Sequence, residues 1–291
     1  MGLTLIEPML PTDAPAWEPI LSAAPGLTVG SGVFVHQPRQ LKVWYHLPWG
    51  LSQSAPIVFV MHGVNRNAQD YRDDWITYAN QGRFLLLVPE FSAAQYPDPD
   101  DYNLGHVFAD SGQINPVDEW SFSAIEDIFA EVQQLTHSTA TTYNLYGHSA
   151  GAQFVHRLVM LMPQARVGTA IAANAGWYLL PTLSDPYPYG LGRIPDASQA
   201  LATAFGRDLV ILLGSEDTDP DHQHLNRGER AMSQGSHRLA RGQFFFEQAR
   251  AQAAVLNLPF DWRIQVVPGV GHSNSGMADV AAKLLSQPGS P

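Results

Sequence analysis

The sequence predicts an α/β protein. Its central sheet should be mostly parallel, with an antiparallel hairpin on the N-terminal side and helices on both faces. Three observations lead there. Short runs that are apolar throughout recur along the chain: IVFVMHG (57–63), FLLLVPEF (84–91) and DLVILLGSED (208–217). Such runs suit central parallel strands buried on both faces. Helical spacing lies between them, and alternation of strand and helix implies a parallel sheet covered on both sides. Ahead of them, LTVGSGVFVHQ (27–37) and LKVWYHLP (41–48) read as a β-hairpin.

The remaining elements follow in order. Phe122, Ile125, Phe129, Val132 and Leu135 fall on one helical stripe. TTYNLY (141–146) is a strand, and Phe154, Val155, Leu158, Val159 and Leu161 mark a more fully buried helix after it. RVGTAIAANAG (166–176) and WRIQVVPGVGH (262–272) are weaker strands, and Met277, Val280, Ala281, Leu284 and Leu285 give a closing amphipathic helix. Residues 1–26 are proline-rich and are expected to form an extension, leaving 27–291 as one domain. Three long connections, 92–119, 181–206 and 218–242, leave strands at their C-terminal ends. Sites of open α/β sheets form there, and long loops there act as lids or walls.

Composition narrows the function classes. The 291 residues are 45% hydrophobic and 15% charged, enough for a sizeable core. A net charge of −11 opposes nucleic acid and anionic membrane as partners. With no cysteine, disulfides, thiolate metal sites and cysteine nucleophiles are excluded. No apolar run approaches the roughly 18 residues of a spanning helix. The N-terminal residues lack a basic segment followed by an apolar core, so a cytoplasmic location is expected.

The chemistry centres on Gly147-His148-Ser149-Ala150-Gly151, which joins a strand to a helix. In that setting a G-x-S-x-G serine sits on a sharp turn as a nucleophile; a helix-capping serine is the bland alternative. A serine hydroxyl needs a histidine to take its proton and a carboxylate to orient that histidine. His272 lies in a glycine-rich loop after the last strand and is the expected base. His148 belongs to the elbow, and His62 and His156 suit packing roles. Asp217 ends the strand between serine and histidine, with Asp219 as its rival. The spacing of Asp217, Asp219 and Asp221 suggests a calcium loop, but His222 and Gly228 occupy its glycine and glutamate positions. No metal is expected. The backbone N–H groups of Ala150 and Val64 are the expected oxyanion donors.

Ser149, Asp217 and His272, in that chain order, resemble the α/β-hydrolase superfamily over about residues 27–285. More narrowly, HGVNRNAQDYRDDW (62–75), GHSAGAQFVHR (147–157) and ANAGWY (173–178) look like the poly(3-hydroxybutyrate) depolymerase-like and related polyesterase branch. The resemblance implies an α/β-hydrolase fold and ester hydrolysis, often of hydroxyalkanoate chains, by a serine triad without a cofactor. Arg66 could bind a substrate carboxylate or pair with Asp70, Asp73 or Asp74. Trp177 and Tyr178 could wall the acyl site or pack in the core. Tyr187 and Tyr189, in PYPYGLGRIP (186–195), could add an outer wall. Arg227, Arg230, Arg238 and Arg241 either favour anionic substrates or pair with acids at the surface. The expected activity is a carboxylic ester hydrolase acting on a small or oligomeric ester. The alternatives are an amidase or peptidase acting on acidic peptide-like polymers, and an inactive binding scaffold.

Overall fold

The computed structural model describes residues 27–286. The expected extension, residues 1–26, lies outside them.

One eight-stranded sheet has the order β1-β2-β4-β3-β5-β6-β7-β8. β1 (Gly30–His36) and β2 (Leu41–Leu47) form the expected hairpin, joined through a short 3-10 turn. β2 pairs antiparallel with β4 (Leu85–Glu90). From there to the far edge every pairing is parallel: β3 (Ile57–Met61), β5 (Tyr143–His148), β6 (Val167–Ala173), β7 (Leu209–Gly214) and β8 (Arg263–Val267).

Strand side chains alternate between two cores, which explains the continuous apolar runs. Ile57, Phe59 and Met61 pack into one core, Val58 and Val60 into the other. The first core is covered by α2 (Ser123–Thr136), α3 (Ala150–Leu161), α4 (Ala197–Phe205) and α6 (Arg238–Val255). The second is covered by α1 (Ala68–Gly82) and α7 (Asn274–Ser286).

Sequence reading does not reach α1, α4, α6 or the single turn α5 (Glu229–Met232). α1 buries Tyr71, Arg72, Trp75 and Ala79. Those residues keep helical spacing, but an arginine stands in the stripe and lowers the apolar contrast. α4 and the start of α6 lie inside segments expected to be loops. Among the described residues no helix is long and apolar enough to cross a membrane.

Candidate active site

Ser149 sits between β5 and α3 with φ +58° and ψ −114°. That conformation costs a non-glycine residue on the order of 1–3 kcal/mol. The neighbouring glycines show how the turn is held. A Cβ at Gly147 would lie 2.2 Å from the Gly151 carbonyl oxygen, and one at Gly151 would lie 2.1 Å from that of Met61. Both approaches are closed to any larger residue, so the elbow is wedged against the end of β3. The Ser149 N–H donates to Ala173 O at 2.9 Å, fixing the serine to the end of β6.

His272 Nε2 lies 3.0 Å from Ser149 Oγ, and His272 Nδ1 lies 2.7 Å from Asp217 Oδ2. The rival Asp219 instead accepts from the Asp221 N–H at 2.8 Å in an exposed turn. The other Asp217 oxygen, Oδ1, accepts from Arg238 Nη1 at 3.4 Å, and both side chains are almost wholly buried. Arg238 Nη2 also reaches His222 Nδ1 at 3.3 Å, and the His222 ring meets that of His272 edge-on at 5.1 Å. Burial lowers the Arg238 pKa, opposed by the Asp217 charge.

Asn174 ties the two loops together. Its side chain accepts from the Gly214 N–H at 2.8 Å and donates to Gly271 O at 3.2 Å. The base loop packs so closely on the end of β7 that a Cβ at Gly214 would lie 2.3 Å from Val270 O. Arg238 does pair with an acid, but buried beside the triad and not at the surface, and neither that contact nor the role of Asn174 is legible in the sequence. Arg238 is remote in sequence from both residues it touches. Asn174 carries a left-handed φ of +52° at a strand end, a signal that asparagine there can offer.

Three further histidines, His62, His148 and His156, are buried and structural in their contacts. His62 Nδ1 faces Gly63 O at 3.0 Å while Nε2 accepts from the Phe91 N–H at 3.1 Å. One ring nitrogen facing a carbonyl and the other an N–H sets the tautomer. Burial lowers its pKa to about 4. His156 repeats the pattern between Ala152 O and the Leu179 N–H, and burial lowers its pKa too. His148 points at Tyr71 Oη, 3.1 Å away, and its ring lies 4.6 Å from that of His272.

Two lobes of one cleft meet at Ser149. The larger, about 650 Å³, holds Asn103, Leu104, Ala150, Gln153, Trp177 and Tyr189. The smaller, about 320 Å³, holds His148, His222 and His272. Val64, Ser149, Gln223 and His224 border both. The Val64 N–H makes no hydrogen bond among the described residues. The Ala150 N–H is the first of α3 and, like the leading N–H groups of any helix, has no intrahelical acceptor. A Cβ at Gly63 would lie 3.8 Å from Ser149 Cβ, so the turn carrying Val64 passes directly over the serine.

No family model and no curated protein sequence matches the chain. Solved structures do. Poly(aspartic acid) hydrolase-1 from Sphingomonas sp. KT-1 is 45% identical, with a TM-score of 0.88 over 90% of this chain and 100% of that one. LpqC, a poly(3-hydroxybutyrate) depolymerase from Bordetella parapertussis, is 35% identical, with a TM-score of 0.85 over 88% of this chain and 90% of that one. The chain belongs to the α/β-hydrolase superfamily, in its depolymerase-like branch. FrmB, an S-formylglutathione hydrolase from Staphylococcus aureus, shares the fold at 13% identity and a TM-score of 0.54, over 88% of this chain and 95% of that one.

The walls of this depolymerase-like hydrolase depart from expectation in places. Arg66 lines neither lobe. Its guanidinium donates to Phe91 O at 2.7 Å and Asp98 O at 3.4 Å and lies 4.5 Å over the Tyr102 ring. It is pinned by carbonyls and a ring, not by Asp70, Asp73 or Asp74. Tyr178 lies in the core, stacked on Phe245 at 4.5 Å. Adjacent strand-end residues diverge, so only Trp177 faces the larger lobe. There it stacks on Tyr189 at 4.4 Å, while Tyr187 Oη donates to Leu104 O. Of the four arginines, Arg238 and Arg241 are buried, Arg227 pairs with Asp221, and Arg230 lies 5.7 Å over Tyr189.

Proposed function

We propose that this hydrolase cleaves carboxylic esters, oligomeric ones in particular, through an acyl-enzyme on Ser149. The observation that carries the reading is the unbroken hydrogen-bond chain from Ser149 Oγ through His272 to Asp217. Ser149 Oγ attacks the carbonyl carbon while His272 Nε2 takes its proton. Asp217 holds the Nδ1–H and stabilises the imidazolium that forms. The Val64 and Ala150 N–H groups donate to the oxyanion, helped by the positive end of α3. The imidazolium then protonates the leaving oxygen, the C–O bond breaks, and water activated by His272 releases the acid.

This proton route assigns the two lobes. The leaving group must face His272, so the smaller lobe takes it and the larger takes the acyl part. Asp98 and Asp100 line the larger lobe, beside the neutral amides of Asn103, Gln153 and Asn226. Such a lining favours a neutral, carbonyl-rich acyl chain over a polyanion. That is the argument for an ester of the hydroxyalkanoate kind.

A second reading has its own support. The 45% identity to a poly(aspartic acid) hydrolase favours amide cleavage in an acidic polymer. Ester and amide share the tetrahedral intermediate, so the same residues serve both. Matched ester and amide substrates separate them. The ester reading expects hydroxybutyrate oligomers to be cleaved much faster than poly(aspartic acid) by wild type and by neither Ser149→Ala nor His272→Ala. Faster release from poly(aspartic acid) would replace it with the second.

A further inference from the structure

We propose that Gln153 is a specificity-determining donor whose Nε2–H binds the carbonyl oxygen of the repeat unit next to the scissile bond. The inference rests on the acyl-transfer reading above and adds what the larger lobe recognises.

Gln153 stands one turn along α3 from Ser149, and both border the same lobe. Its Oε1 accepts from Asn103 Nδ2 at 3.3 Å and from Arg157 Nη1 at 3.4 Å. Two donors on the oxygen decide which way the amide faces, so the NH₂ group is turned to the other side. Nε2 makes no hydrogen bond among the described residues. It rests against Gly176, where a Cβ would come within 3.1 Å of it. Gln153 is thus a side chain committed at one end and open at the other, in the part of the cleft that takes the acyl chain.

Arg157 is what keeps the amide from turning over. It is fully buried, forms no ion pair among the described residues, and lies 4.3 Å over the Trp177 ring. A guanidinium only donates, so it cannot accept a flipped Gln153 NH₂. Burial lowers its pKa to about 10, which leaves it charged at neutral pH. Trp177 is held in turn by Tyr189. The wall behind the donor is therefore rigid, and a fixed donor loses little entropy on binding. Asp98 and Asp100 in the same lobe oppose a second carboxylate. The matching ligand group is a neutral carbonyl, supplied by an ester or an amide repeat.

The test compares p-nitrophenyl β-acetoxybutyrate and p-nitrophenyl β-acetamidobutyrate with p-nitrophenyl β-ethoxybutyrate, which lacks the second carbonyl. Wild type should prefer at least one carbonyl-bearing substrate by about three- to tenfold in kcat/KM, the range of one hydrogen bond. Whichever is preferred names the repeat as ester or amide. Gln153→Leu should bring that ratio close to one. Gly176→Ala, which crowds Nε2 without removing it, should lower the ratio as well and serves if Gln153→Leu does not fold. No wild-type preference, or a ratio unchanged in whichever variants fold, overturns the proposal and leaves the acyl-transfer reading intact. Absence of any Ser149-dependent turnover sinks that reading, and this inference with it.

Discussion

The two sides of the cleft are built by different means. On the triad side, three strand ends bring Ser149, Asp217 and His272 together, and backbone packing that leaves no room for a side chain at Gly147, Gly151 and Gly214 fixes them. On the acyl side, residues of two long loops interlock with α3, with the end of β6 and with each other: Asn103 with Gln153, Tyr189 with Trp177, Tyr187 with the Leu104 carbonyl. Chemistry and selectivity thus reside in different parts of the chain. The first side is set by chain geometry that any member of the fold must keep, the second by contacts that loop sequence can rewrite.

The largest effects are expected on the triad side. Ser149→Ala should lower kcat by about 10⁴- to 10⁶-fold with KM little changed, as steady-state kinetics would show. Asp217→Asn should cost about 10⁴-fold, because the histidine loses the carboxylate that selects its tautomer. Asp219→Asn should have little effect on rate. Equal losses from both would reopen the assignment of the acid.

Next comes Arg238→Gln. It leaves Asp217 buried with one charged partner fewer, and breaking a buried pair costs about 3–5 kcal/mol. Urea unfolding should register a loss of that order. A change within experimental error would mean that the buried contact is not what holds the carboxylate.

A pH effect of comparable size per group should follow from the buried neutral histidines. His62 has a folded pKa of about 4 against an ordinary 6.5. Between those values the unfolded chain binds the proton and the folded one does not, so stability is complete above pH 6.5 and falls as pH drops toward 4. His62 alone contributes roughly 3 kcal/mol to that loss, and His148 and His156 act in the same direction. Urea midpoints at pH 7.5, 5.5 and 4.5 would reveal it; a flat series would contradict it. The smallest effect belongs to Arg66→Ala. With its guanidinium committed to Phe91 and Asp98 carbonyls, the rate ratio between anionic and neutral oligomers should not move.

The same contrast explains what could be read from the sequence. β7 announces itself as a buried apolar run while β5 and the largely exposed β8 are less marked, and the elbow, the acid and the base each follow a strand end. Asp217 and His272 could be located because chain order and strand ends leave few choices. Arg238 could not, because its partners lie 21 and 16 residues away across a turn of irregular loop. Tyr178 and Trp177 are neighbours with opposite fates: Tyr178 packs against His156 and Phe245, while Trp177 faces the larger lobe. α1 hides because its buried stripe contains Arg72, whose charge masks the apolar period while its guanidinium lies 5.5 Å over Trp44.

Everything proposed for the cleft depends on Ser149 acting as a nucleophile activated by His272. Its most direct test is the intact mass and peptide map of the protein after treatment with a fluorophosphonate. One phosphonyl adduct is expected on Ser149 in the wild type and none in His272→Ala over the same interval. An unlabelled wild type, or an adduct on another residue, would contradict it.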